Sequence, residues 1–389
     1  MCAQSHVFPL GNNRCFVLCF ANQTVYRAAA QSLCSIGLNC LCVFSHMASP
    51  DAASSQGVNV VTHPVDLPVY ADILDAAKRL EGKAVETPLL RNDRLDDRLG
   101  AKLFVKAECL QRTGSFKFRG AFNRISRLSD VEKERGIVAY SSGNHAQGVA
   151  AAAQLNGTHA KILMPADAPR SKVEGVLFWG GDVVPFDRAT ENREALGAAI
   201  CEAEGRILVP PYEDPRIIAG QGTAGLEAAN QLQALGERPD IVVCCAGGGG
   251  LIAGVGMAMR HAFPDVEIWA AEPAGFDDHK RSLASGRRET NERLTGSICD
   301  AIITPTPGAL TWALNSTQLT GGAAISDGEA LDAMIAAWRH LKIVVEPGGV
   351  AALAAVLSGK IDIAGKTVCV LATGGNVDAE VFQMALARA

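Results

Sequence analysis

The feature that most constrains this 389-residue chain is an alternation of short apolar runs with helical stretches. Ile137–Tyr140, Ala160–Met164, Asp182–Pro185, Ile207–Val209, Ile241–Cys245 and Glu267–Ala271 read as strands. His145–Asn156, Ser171–Phe178, Glu191–Glu204, Ile217–Leu235 and Leu251–Phe263 between them read as helices. Strands that are apolar throughout need cover on both faces, so the pattern predicts α/β architecture with parallel sheets. Leu103–Val105 and Thr367–Leu371 add strands; Tyr70–Leu80, Phe116–Leu128, Asp327–Leu341 and Gly349–Leu357 add helices. Such sheets bind ligands at the carboxyl ends of strands, where the next helix begins.

Composition narrows the class. A net charge of −5 gives no electrostatic footprint for nucleic acid, and 48% hydrophobic residues can bury a large core. No run reaches the roughly 18–20 apolar residues of a membrane span. Six of the 12 cysteines (Cys2, Cys15, Cys19, Cys34, Cys40 and Cys42) crowd the first 46 residues, which hold Arg14 and Arg27 but no Asp, Glu or Lys. A secretory signal does not fit that pattern and a transit peptide fits it thinly. The reading is that residues 1–66 form an N-terminal extension, disordered or non-native, with Met47 as a candidate start. The later cysteines are scattered as in a reduced cytoplasmic protein.

Five segments carry chemistry. In Glu108–Gly120, Lys117 opens a helix beside Gly114, Ser115 and Phe116. Burial and a helix N-terminus both disfavour an ammonium, so this lysine suits nucleophilic work, although most such lysines are solvated. Ser141, Ser142, Gly143, Asn144 and His145 follow a strand and offer backbone N–H groups to an anion, or an ordinary N-cap. Gly247, Gly248, Gly249 and Gly250, then Leu251, repeat that strand-to-helix setting without the lysine of a nucleotide P-loop. Thr373 with Gly374, Gly375 and Asn376 follows the last strand. Glu272 to Asp278 places three carboxylates on an irregular loop, a hard-cation site or a solvated turn.

In this order the segments SFKFRG, SSGNHAQG, GQGTAGLE, GGGGL and TGGNVD resemble the fold-type II pyridoxal-phosphate enzymes, in the serine/threonine dehydratase and serine racemase branch. The resemblance covers about Leu67 to Asp378. It implies two three-layer open-sheet domains of the tryptophan synthase β type, with pyridoxal 5'-phosphate in the cleft between them. A small domain at 137–213 would sit beside a large one at 67–136 and 214–389. Lys117 would bond the cofactor as a Schiff base, with Phe116 on its ring, Asn144 at its 3-hydroxyl and Thr373 at its ring nitrogen. Gly247 to Leu251 would take its phosphate. Ser141, Ser142, Gly143, Asn144 and His145 would hold the substrate carboxylate, with Ser142 as the racemase-type acid/base. Glu272, the Phe276 carbonyl and Asp278 would hold a divalent cation (Mg, Mn or Ca).

The implied activity is a threonine/serine-type ammonia-lyase, giving a 2-oxo acid and ammonia from a 3-hydroxy-L-amino acid. Serine or other amino-acid racemisation and 3-hydroxyaspartate dehydration are the alternatives. Thr373 stands where Ser is usual, and Tyr212 where racemases often carry Asn. The resemblance further implies a homodimer acting on a small amino acid, without a nucleic-acid or membrane partner.

Overall fold

The sheets form because their strands are apolar on both sides and lie under helices. The computed structural model describes residues 6–10, 14–18, 67–141 and 143–389. The expected N-terminal extension at 1–66, apart from residues 6–10 and 14–18, and the Ser142 role therefore fall outside the described residues. Contacts divide the chain into Met1–His63 and Pro64–Ala389. In the first unit, β1 (His6–Leu10) pairs antiparallel with β2 (Arg14–Leu18).

The second unit holds two sheets. One is formed by β3 (Leu89–Arg91), β4 (Lys102–Lys106), β9 (Ile241–Cys245), β10 (Glu267–Pro273), β11 (Gly321–Ile325) and β12 (Thr367–Leu371), in the order β11-β10-β9-β12-β4-β3. All its pairs are parallel except the edge pair β3–β4. The other, entirely parallel, is formed by β5 (Ile137–Tyr140), β6 (Ala160–Pro165), β7 (Asp182–Phe186) and β8 (Ile207–Leu208), in the order β7-β6-β5-β8.

Period-two geometry splits each central strand between two cores. Val243 pairs with Val370 and Trp269 in the central register. Val105, Val243 and Val370 pack on the Ala351–Leu357 helix side; Phe104, Val242, Cys244 and Cys369 face the Pro215–Ala234 and Gly250–Ala262 helices. Both sheet faces are thereby covered, as the apolar runs require.

Some details depart from the sequence reading. The Asp327–Leu341 stretch is an α-helix only to Ala336, then widens into a π turn that ends at Lys342 with φ 60°. The acidic segment is not wholly irregular, since Asp278 starts a helix to Ser285. β11 carries no β-branched signal before Ile325; it is an edge strand whose Gly321 lies against the Trp269 ring. Cys109, Cys201, Cys244, Cys245, Cys299 and Cys369 are free thiols. No described helix is long and apolar enough to cross a membrane.

Candidate active site

Three strand ends converge on one cavity: β5 leads to Ser141 and Asn144, β9 to the glycine loop, and β12 to Thr373. Lys117 faces it from the first position of the Lys117–Ile125 helix. That helix is anchored by buried Arg119, which donates to Glu108 and Glu227. Burial alone would raise the Glu108 carboxyl, but the Arg119 guanidinium overrides it and holds the group below its usual range. The helix also lies against the Pro215–Ala234 helix at a glycine contact. A Cβ on Gly220 would sit 2.7 Å from the Arg119 carbonyl. A side chain there would push the two helices apart.

The Lys117 amine is half-buried and donates to the Pro211 carbonyl at 3.0 Å. Burial pushes it down to about 8, against a small opposing influence from Cys245. A substantial neutral fraction near neutral pH is what a nucleophilic or basic lysine requires. The Phe116 ring centroid lies 5.1 Å from Nζ, and the Phe116 amide donates to the Thr373 carbonyl at 3.1 Å.

In the glycine loop the carbonyls are held and the amides are left over. Thr311 Oγ1 donates to the Gly248 carbonyl at 2.5 Å, and Asn315 Nδ2 to that of Gly249 at 3.2 Å. The amides of Gly247, Gly248 and Gly249 find no backbone acceptor among the described residues. Gly249 has φ 90°, and a Cβ on Gly248 would overlap the Tyr212 ring, so the tract is needed both for conformation and for room. Gly250 then starts a helix, adding its positive end to the cradle. Leu251 is buried and lines the same cavity.

Asn144 begins the Asn144–Leu155 helix; its Nδ2 donates to Glu346 Oε1, and its Oδ1 accepts from Asn376 Nδ2 at 2.7 Å. Gly143 donates its amide to Ser141 Oγ at 3.2 Å. The His145 ring is occupied elsewhere. Nε2 meets the Val209 carbonyl at 2.9 Å, and burial, then Lys117, push the imidazole down to about 3. It is therefore neutral, and what it can offer an anion is its backbone amide. Buried Thr373 places Oγ1 3.2 Å from Cys245 Sγ.

Further cavity residues were not assigned from sequence, among them Glu346, Gln221, Lys172 and Arg193. Glu346 is buried, and burial pushes its carboxyl up to about 7. Gln221 is buried with neither amide atom hydrogen-bonded. It lies inside the GQGTAGLE segment, whose buried polar residue was the available signal. Lys172 is paired with Asp300 at 2.8 Å, whereas Arg193, at the cavity rim over the Tyr140 ring, has no ion-pair partner among the described residues. The free amides, the orphaned Gln221 amide and the lysine with depressed basicity fit a phosphorylated aldehyde.

The acidic segment forms a separate buried cluster. Glu272, Asp278 and His279 can bring ligand atoms within 4.8 Å of one another. Glu272 accepts from the amides of His279 and Lys280 at 2.8 and 2.9 Å. Asn291 donates to Asp278 Oδ1 at 2.7 Å, while Asp278 Oδ2 is left without a partner. Burial, then Glu272, push the Asp278 carboxyl up to about 7. Phe276 has a buried ring and marks the turn between the two acids. His279 is the member that sequence reasoning missed.

This architecture and cavity define an enzyme built around a cofactor bound at strand ends, and the chain belongs to the family described as "Pyridoxal-phosphate dependent enzyme", whose model matches residues 80–374. It is 40% identical over 318 residues to an L-threo-3-hydroxyaspartate ammonia-lyase of Pseudomonas sp, covering 82% of this chain and 98% of that one. A serine racemase of Schizosaccharomyces pombe is 36% identical over 316 residues, covering 81% and 96%. Among solved structures, a T.th. threonine deaminase superposes with a TM-score of 0.75 at 39% identity, covering 80% and 99%.

Proposed function

We propose that this chain is a pyridoxal-phosphate-dependent ammonia-lyase that dehydrates a 3-hydroxy-L-amino acid to a 2-oxo acid and ammonia. The observation that carries the proposal is Lys117, whose amine is lowered to about 8 and faces the glycine cradle in one cavity. Lys117 would hold the cofactor. Gly247, Gly248, Gly249, Gly250 and Leu251 would bind its phosphate through their amides, and Phe116, Asn144 and Thr373 would meet its ring. Bound there, the cofactor supplies an electron sink for charge at the substrate α-carbon.

Freed when the substrate amine takes its place, Lys117 Nζ would take the α-proton, a task matched to an amine near 8. Thr373 offers the ring a hydroxyl rather than a carboxylate, and its carbonyl fixes the Phe116 backbone. Ser141, Ser142, Gly143, Asn144 and His145 hold the substrate carboxylate. The proton that Lys117 takes from the α-carbon matches the one the β-hydroxyl needs to leave as water, and the released enamine would take up one water to give the 2-oxo acid and ammonia.

The Arg193 guanidinium, which has no ion-pair partner among the described residues, favours one substrate class. It suits a side chain ending in a carboxylate, so we place L-threo-3-hydroxyaspartate ahead of serine and threonine. A small domain at 137–213 set in a large one at 67–136 and 214–389, a homodimer and a cytoplasmic setting complete the proposal. Glu272, the Phe276 carbonyl and Asp278 would hold a divalent cation. The test is incubation with L-threo-3-hydroxyaspartate, L-serine and L-threonine, following 2-oxo acid and enantiomer content together. Oxo acid release supports the lyase; enantiomer formation without it assigns a racemase acting through Ser142.

A further inference from the structure

The acidic cluster and the glycine loop are connected by buried side chains. The connection runs from Glu272 through His279 and Asn315 to the carbonyl of Gly249. His279 is fully buried. Its Nδ1 lies 3.3 Å from Glu272 Oε1 and 3.9 Å from Asp278 Oδ2, while Nε2 lies 3.4 Å from Asn315 Nδ2.

The orientation of Asn315 is fixed by its neighbours. Its Oδ1 accepts from Gln318 Nε2 at 3.0 Å, and Gln318 Nε2 also donates to the Ala253 carbonyl. Asn315 Nδ2 therefore carries two hydrogens, one directed at the Gly249 carbonyl (3.2 Å) and one at His279 Nε2. The Asn315 amide thus faces Nε2 on one side of the ring, and Nδ1 lies toward Glu272 on the other, without a hydrogen-bond partner of its own. His279 therefore touches the acidic cluster with one ring nitrogen and the glycine-loop support with the other, as the outer partners of metal ligands do.

The two carboxylates give the cation reading its independent footing. Asp278 Oδ2 is fully buried and unpartnered in the gap beside Glu272. A divalent cation there would neutralise both acids and fix Glu272 beside the His279 ring, 3.3 Å from Nδ1. The ring then keeps its place against Asn315, and Asn315 keeps its hold on the Gly249 carbonyl. That hold keeps the peptide at φ 90°, with its amide free for phosphate.

We propose that His279 and Asn315 are positioning residues that couple a cation at Glu272 and Asp278 to the phosphate affinity of the glycine loop. The proposal rests on the cation and cofactor sites given under Proposed function. Coupling between two bound ligands is reciprocal, so the cofactor must tighten the cation by the same factor.

The experiment uses the full chain freed of cofactor, with Mn²⁺ as the cation. Pyridoxal phosphate is titrated by quenching of protein fluorescence, with Mn²⁺ or with EDTA, and bound Mn²⁺ is counted by electron paramagnetic resonance. The expected result is a cofactor Kd lower by about fivefold or more with Mn²⁺, and a ratio near one in Asn315→Leu with Mn²⁺ still bound. If Asn315→Leu does not fold, Asn315→Ser serves, and the wild-type comparison stands alone. Bound Mn²⁺ with an unchanged wild-type Kd overturns the coupling and leaves the cation site standing. A wild-type ratio preserved in the variants overturns the role of Asn315. No bound Mn²⁺ at all overturns the cation reading and the coupling with it.

Discussion

Glu346→Gln is predicted to remove a pH-dependent weakness of the folded chain. Glu346 is buried, and burial lifts its carboxyl from the ordinary 4.5 to about 7. Between those values the folded protein keeps a proton that the unfolded chain has lost. The stabilisation is therefore fully present below about 4.5 and disappears as pH rises through about 7. The 2.5-unit difference between 4.5 and 7 corresponds to about 3 kcal/mol, an order-of-magnitude figure. Glutamine has the same shape, can still accept from Asn144 Nδ2, and does not titrate. Unfolding by urea at a series of pH values from 4.5 to 8.5 should show the variant gaining on wild type by about 3 kcal/mol across the window. Asp278, also raised to about 7, gives wild type and variant a shared slope of the same sign. The informative quantity is thus the difference between the two curves. Parallel curves across the window would refute a buried, titrating Glu346.

Three further outcomes follow from the site. Arg193→Gln should lower kcat/KM for L-threo-3-hydroxyaspartate by about tenfold or more, the value of a hydrogen bond to a charged group, and change that for L-serine little; equal losses on both would remove Arg193 from substrate choice. Gly248→Ala puts a methyl group into the Tyr212 ring and should weaken pyridoxal phosphate by at least about tenfold in a fluorescence titration, since the loop or the ring must move. Deleting residues 1–46 should leave the thermal midpoint and turnover unchanged, and a loss of either would make that segment part of the enzyme.

The sequence was most readable where burial is continuous. Ile241–Cys245 and Thr367–Leu371 were placed to the residue because nearly every position in a doubly covered parallel strand is apolar, Thr367 at the strand's start being the exception. Gly321–Ile325 escaped because an edge strand of Gly and Ala carries no such mark, and Leu89–Arg91 is too short to show a period. The lysine and glycine motifs stood out because their residue types suit a strand-to-helix junction poorly unless something binds there. Glu346 and Arg193 did not stand out. Each reaches the cavity from elements distant in sequence, and their roles depend on Asn144 and Tyr140, which the fold brings beside them. His279 was passed over for a similar reason, since its partner Asn315 lies 36 residues on.

The central claim is that Lys117 is the residue that holds the cofactor. Borohydride reduction of the cofactor-loaded chain, followed by peptide mapping by mass spectrometry, tests it directly. One phosphopyridoxyl group is expected, on Lys117, and none on any peptide of Lys117→Ala. A label on Lys172 or another lysine of the wild-type chain, or an equal label in Lys117→Ala, would contradict it.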